Sequence, residues 1–155
     1  MHWQDLFLNP EGRIGRRDFW LGFFALLGIF FLLQLLPGLG TLVSLGLFYC
    51  WICLFSKRLH DFGKSGWMQV FVHAINLVCL AVIIWLGALF ILTNGIFRPN
   101  AAMGVLMGGV LAGAAVIIAA LAVALINTAV FVIWLGTREG DEGANNHGAP
   151  QHLIP

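Results

Sequence analysis

The stretch FWLGFFALLGIFFLLQLLPGLGTLVSLGLFYCWICLFS, residues 19–56, has no charged side chain in 38 positions. A helix that crosses a bilayer needs about 20 apolar residues. The run is therefore long enough for two, and Pro37-Gly38-Leu39-Gly40 supplies helix breakers where a tight turn would join them. We read membrane helices over 19–36 and 41–55.

The remaining charges divide the chain in the same way. Residues 65–97 and 99–137 are two further uncharged stretches, of 33 and 39 positions. The first predicts a third helix over 67–92, stopped at Thr93-Asn94-Gly95. The second predicts a fourth over about 103–135. One helix across the whole of 101–135 would be about 52 Å long against a hydrocarbon core of about 30 Å. It must then tilt strongly, project from the bilayer, or break near its glycine-rich start at Gly104, Gly108, Gly109 and Gly113.

Composition agrees. Sixty per cent of the residues are hydrophobic, 10% are charged, and the mean hydropathy is +0.92. A soluble domain carries about a quarter charged residues. The expected class is an all-α integral membrane bundle of four transmembrane helices with a cytoplasmic loop cluster, forming one domain over 1–155. Residues 1–18 are a lead-in and 136–155 an irregular tail. A soluble enzyme, a disordered chain and a nucleic-acid partner are excluded, the last because the net charge is only +1.

Lys and Arg set the orientation. Arg13, Arg16 and Arg17 precede the first span; Lys57, Arg58 and Lys64 lie between the second and third; Arg138 follows the fourth. Only Arg98 falls on the opposite side. Seven against one places both termini and the 57–66 loop in the cytoplasm, in a multi-pass arrangement. Eighteen residues precede the apolar run and no A-x-A-like site follows it, so the first span is expected to be retained.

Near the start, Trp3, Leu6 and Phe7 share a helical face, suited to a short turn on the membrane surface. Gly12-Arg13-Ile14-Gly15-Arg16-Arg17-Asp18-Phe19-Trp20 then puts three guanidiniums beside interfacial aromatics, where each cation gains about 1 kcal/mol near anionic lipid. It also serves as a plain topology anchor.

Lys57-Arg58-Leu59-His60-Asp61-Phe62-Gly63-Lys64-Ser65-Gly66-Trp67 carries the most information. Arg58 and Asp61, at i and i+3, can pair on a helical turn. Gly63-Lys64-Ser65 looks like the end of a phosphate-binding P-loop, but that motif needs a glycine where Arg58 stands, and no strand precedes it. His60 and Asp61 alone fall short of a three-ligand metal site. Cys50 and Cys53 have C-x-x-C spacing; within an apolar helix they read as packing residues.

Gln69, His73 and Asn76 share one face of the third span, and Asn127 and Thr128 in the fourth, with Gln34 in the first, are available partners. With no charged residue in any span, interhelical hydrogen bonding is the simpler reading of Gln69, His73, Asn76 and Asn127. A polar path for a proton or solute is the alternative. The spacings Gly104/Gly108 and Gly109/Gly113 favour close helix contact, within the chain or between copies.

Three blocks together resemble a known family, domain of unknown function 805 (DUF 805), the YhaH-like bacterial inner-membrane proteins. They are Gly12, Arg13, Arg17, Asp18, Phe19 and Trp20; then Arg58, Leu59, His60, Asp61, Gly63, Lys64, Ser65, Gly66 and Trp67; then Gly143, Asn145 and Gly148. His147 and Met68 depart from the family's aromatic preference, and the segment from Trp67 to Gly136 is longer than in short members. The resemblance implies a small protein of the bacterial cytoplasmic membrane. It brings no activity, cofactor or catalytic residue.

The leading functional expectation is a non-enzymatic module without catalytic, cofactor or metal residues. It would bind anionic lipid head groups or a protein partner through Arg13, Arg16, Arg17, Arg58, His60, Asp61 and Lys64, alone or as a homo-oligomer. The alternative is a small transporter or channel component using Gln69, His73, Asn76 and Asn127. A membrane enzyme built on His60 and Asp61 ranks last, because no nucleophile–base set accompanies them.

Overall fold

The computed structural model describes residues 3–36, 38–92 and 103–150. Pro37, Thr93-Asn94-Gly95 and Arg98 lie outside them. Among the described residues there is no β-strand, and the chain is built from α1 (Trp3–Leu8), α2 (Arg16–Leu33), α3 (Leu39–Asp61), α4 (Gln69–Ile91) and α5 (Met103–Thr137), with a short 3-10 turn at Gly66–Met68 before α4. Two compact units divide it: residues 1–69 with 132–155, and residues 70–131.

In the first unit α2 and α3 form a helical hairpin. Extended Gly15 opens α2, and Asp18 in its first turn complements the helix N-terminus. The expected end at Leu36 moves back to Leu33, because Leu35 N and Leu36 N bond three residues back, to Leu32 O and Leu33 O, tightening the last turn. Gly38 at φ +78° starts the return, and a Cβ on Gly40 would overlap the carbonyl of Leu33. The turn therefore needs both glycines.

α3 runs six residues beyond the expected Phe55. Charge does not end this helix, because Ser56, Lys57, Arg58 and Asp61 are buried against protein partners. It stops at Gly63, φ +64°. There Lys64 N bonds to Leu59 O at 3.0 Å and Gly63 N to His60 O at 3.1 Å. This pair of bonds is the Schellman closure that a left-handed residue makes possible.

The hairpin core is aromatic and aliphatic. Phe19, Leu26, Leu54, Phe55 and Leu59 are buried, and the Phe23 and Trp51 rings meet edge-to-face at 4.9 Å. A Cβ at Gly22 would lie 2.9 Å from Leu54 and 3.4–3.5 Å from Leu6 and Phe7. Leu6 and Phe7 of α1 therefore pack inward, and Trp3 alone of the expected surface face is 65% exposed. The end of α5 joins this unit: Val132 and Leu135 are buried, and Trp20 Nε1 donates to Gly136 O at 3.2 Å.

In the second unit the parts of α4 and α5 between Val70 and Phe131 are tied by amides. Asn127 Nδ2 donates to Asn76 Oδ1 at 3.0 Å and to Val72 O at 3.1 Å, and Asn76 Nδ2 donates to Thr128 Oγ1 at 2.9 Å. Most other side chains here are apolar and exposed, Phe71 by 74% and Leu125 by 70%. α5 is one unbroken helix of 35 residues, about 52 Å long. Its glycines do not break it, and a Cβ at Gly108, Gly109 or Gly113 would touch nothing within 4 Å among the described residues. Among the described residues two segments, Gly66–Ile91 and Gly108–Thr137, are long and apolar enough to cross a membrane. α2 and α3 carry charges within their ends, Arg16-Arg17-Asp18 and Lys57 to Asp61.

Candidate functional site

The end of α3 delivers Arg58 and Asp61 to one place because three residues complete nearly one helical turn. Arg58 is fully buried. Its Nη1 pairs with Asp61 Oδ2 and donates to Ile14 O at 3.1 Å; its Nε donates to Leu135 O at 2.8 Å, and its Nη2 to Arg138 O. Leu135 and Arg138 lie at the C-terminal end of α5, where unpaired carbonyls favour a cation. Burial lowers the affinity of the Arg58 guanidinium for its proton, and the Asp61 carboxylate opposes that shift.

Arg13 enters from the lead-in and closes on the same carboxylate. Its Nε donates to Asp61 Oδ1 at 3.2 Å. The rest of its guanidinium holds the tail: Nη1 donates to Gly143 O at 2.7 Å and Gly148 O at 3.2 Å, and Nη2 to Asp141 O at 2.5 Å and Asp61 O at 3.0 Å. Asp141 N returns a bond to Asp61 O at 2.8 Å. One carboxylate and seven backbone carbonyls thus serve two buried guanidiniums. Buried charge is tolerated when paired and hydrogen-bonded in this way.

Glycine permits the approach. A Cβ on Gly140 would overlap the Asp61 carboxylate. Gly148, at φ +111°, closes the tail back on Asn145 through reciprocal backbone bonds of 3.0 and 3.1 Å. Asn145 Nδ2 also donates to His60 O at 3.0 Å. His147 lies flat on His60, with ring centroids 3.8 Å apart and planes 4° from parallel. Because Gly12 O can only accept, His60 Nδ1 carries the proton of their 3.2 Å bond. Burial pushes His60 below its ordinary value, and His147 adds to the shift.

The expected site residues therefore separate into two sets. Arg13, Arg58, His60 and Asp61 come together in this clasp, joined by tail residues 141–148. Arg16, Arg17 and Lys64 stay exposed; Arg16 reaches Glu139 at 3.4 Å, and Arg17 and Lys64 have no ion pair among the described residues. Beside the clasp is a cavity of about 380 Å³, lined by Arg16, Arg17, Asp18, Asp141, Glu142 and the Arg58–Asp61 pair.

The expected polar set along the third span also divides. Asn76 and Asn127 bond to each other as above. Gln69 turns instead to α3, with Nε2 donating to Ser56 Oγ at 2.8 Å. His73 is half-buried and Gln34 is exposed. Gly66 makes the Gln69 contact possible: a Cβ there would lie 2.7 Å from Ser56 Oγ.

Sequence reasoning missed three functional contributors. Lys57, whose Nζ donates to Asp5 O, is buried and pins α1; burial holds its ammonium below the usual lysine range. Gly140, against the Asp61 carboxylate, and His147, stacked on His60, carry no local sequence signal of those contacts. Among the described residues no three His, Cys, Asp or Glu side chains are placed to hold a metal ion.

Compared with known proteins, residues 7–149 match the model of a family described as a protein of unknown function, DUF805. No curated protein and no solved structure matches the chain.

Proposed function

Because the chain belongs to this DUF805 family of unknown function, its role has to be read from its own geometry, and we propose that it is a four-span protein of a bacterial cytoplasmic membrane whose cytoplasmic face binds anionic phospholipid head groups without catalysing a reaction. In this reading α2 and the apolar part of α3 cross the membrane as well as α4 and α5, and both termini are cytoplasmic. Arg13, Arg58 and Asp61 are the frame of that face. Arg16, Arg17 and Lys64 are its lipid contacts.

The observation that carries the reading is where the exposed cations stand. Lys64 comes three residues before Trp67, which is 80% exposed at the start of an apolar helix. Arg16 and Arg17 open α2 just ahead of Trp20 and the 60% exposed Phe24. Exposed aromatics with adjoining cations at the end of an apolar helix suit the head-group layer. The uncommitted charge of Arg17 and Lys64 supports a ligand outside the protein.

Thermal unfolding of the full chain in mild detergent tests this. Added phosphatidylglycerol should raise the melting temperature by mass action. The R16Q/R17Q/K64Q variant should lose most of that rise. An undiminished rise in the variant at low ionic strength, where screening is weakest, would overturn the reading.

A further inference from the structure

The cavity beside the clasp is lined by charges of both signs. Its buried wall, Arg58 with Asp61, is already paired internally. Of its other charged residues, Asp18 has an interaction of its own, Arg16 reaches Glu139 and Asp141 accepts from Asn145 at 3.0 Å. Arg17 and Glu142 remain. Both are exposed, both line the cavity, and neither has an ion pair among the described residues, with each other included. The cavity holds about 380 Å³, enough for a small polar group.

An anion without a positive group would meet Arg17 but also Asp18, Asp141 and Glu142. A cation alone would meet Arg16 and Arg17. A ligand that carries a phosphate and an ammonium a few bonds apart satisfies both sides. The lining contains no aromatic ring, and a quaternary ammonium is bound best by aromatic faces. A primary ammonium, with three hydrogen-bond donors, suits a carboxylate. The first turn of α2, Arg16 to Asp18, forms part of its lining.

We infer that this cavity is a head-group site for an aminophospholipid, with Arg17 taking the phosphate and Glu142 the primary ammonium of a phosphoethanolamine group. This rests on the membrane placement proposed above and makes the lipid class specific. Lys64 is not part of the lining, so it serves the general anionic surface and not this site.

The experiment is native mass spectrometry of the full chain, released from mild detergent after incubation with equal amounts of phosphatidylethanolamine, phosphatidylcholine and phosphatidylglycerol of identical acyl chains. The ethanolamine lipid should be retained roughly three- to fivefold over the choline lipid, whose quaternary ammonium has no N–H to donate, the scale of one hydrogen bond. Glu142→Gln should erase that preference, and Arg17→Gln should lower retention of both. Equal retention by the wild type, or a preference that survives Glu142→Gln, overturns the assignment. Both side chains are exposed, so folding is preserved, as matching melting curves without lipid would verify. Soluble phosphoethanolamine at millimolar concentration should leave the bound lipid in place; displacement would assign the same chemistry to a soluble ligand and overturn the lipid source. The anionic-surface reading fails separately, on the thermal response of the R16Q/R17Q/K64Q variant to phosphatidylglycerol.

Discussion

Replacing Asp61 by Asn removes the one carboxylate that two buried guanidiniums share. Arg13 Nε at 3.2 Å and Arg58 Nη1 each lose a charge-assisted bond, worth roughly 1.5–3 kcal/mol apiece. The amide keeps the shape, and the Asp61 backbone carbonyl keeps its bonds to Arg13 and Asp141, so part of the clasp survives. What remains is two positive charges in one buried cluster with only neutral acceptors. Breaking a buried pair from one side costs about 3–5 kcal/mol, and we expect Asp61→Asn to fall in that range. Total stabilities of about 5–15 kcal/mol make this a large fraction. Unfolding of the purified chain in mild detergent, by heat and by denaturant, measures it. Glu142→Gln, exposed and outside the clasp, is the reference and should stay within about 0.5 kcal/mol of wild type. Adding Arg13→Gln to Asp61→Asn should cost less than the two single losses summed, a coupling of about 0.5–3 kcal/mol. A loss for Asp61→Asn no larger than that of Glu142→Gln would refute the idea that the clasp holds this unit together.

Gly140→Ala forces the tail away from Asp61 and should cost about 1–3 kcal/mol, the scale of overpacking a tight contact; limited proteolysis should then cut the tail near residues 141–148 sooner than in wild type. The lowered His60 value sets a pH dependence. Between it and the ordinary 6.5 the unfolded chain binds more protons than the folded one, so this contribution is complete above 6.5 and is lost as pH falls through that window. Melting temperatures at pH 7.5 and 5.5 should show the fall, and His60→Asn should flatten it. Asn127→Leu removes the bonds to Asn76 and Val72 O and should lower stability by about 0.6–2 kcal/mol, read by the same melts; no change would show that the amide network contributes nothing.

The helices were legible because uncharged runs of the needed length are rare outside membranes, and the breakers at 38–40 are local. Their ends were less so. α3 continues through Lys57, Arg58 and Asp61 because other segments bury those charges, and nothing in residues 56–61 announces partners far along the chain. The Arg58–Asp61 pair could be read from its spacing, whereas Arg13 reaches the same carboxylate across 48 positions. The tail looked irregular for a sound reason: its order comes from backbone carbonyls, which every residue has, gathered on Arg13. The Lys and Arg count places Arg13, Arg16, Arg17, Arg58 and Lys64 on one side, but only geometry separates the cations that build the clasp from those left exposed. Leu6 and Phe7 had the pattern of a surface face, and Gly22, by leaving room on α2, turns them inward.

In the proposed arrangement four helices cross the membrane and leave the clasp on the cytoplasmic side. Single cysteines at Lys64, Arg98 and Glu142, in a chain whose Cys50, Cys53 and Cys79 are replaced by alanine, test it with a membrane-impermeant maleimide. Arg98→Cys should be labelled in intact cells, and Lys64→Cys and Glu142→Cys only after permeabilisation. Labelling of Lys64→Cys or Glu142→Cys in intact cells, or protection of Arg98→Cys there, would contradict it.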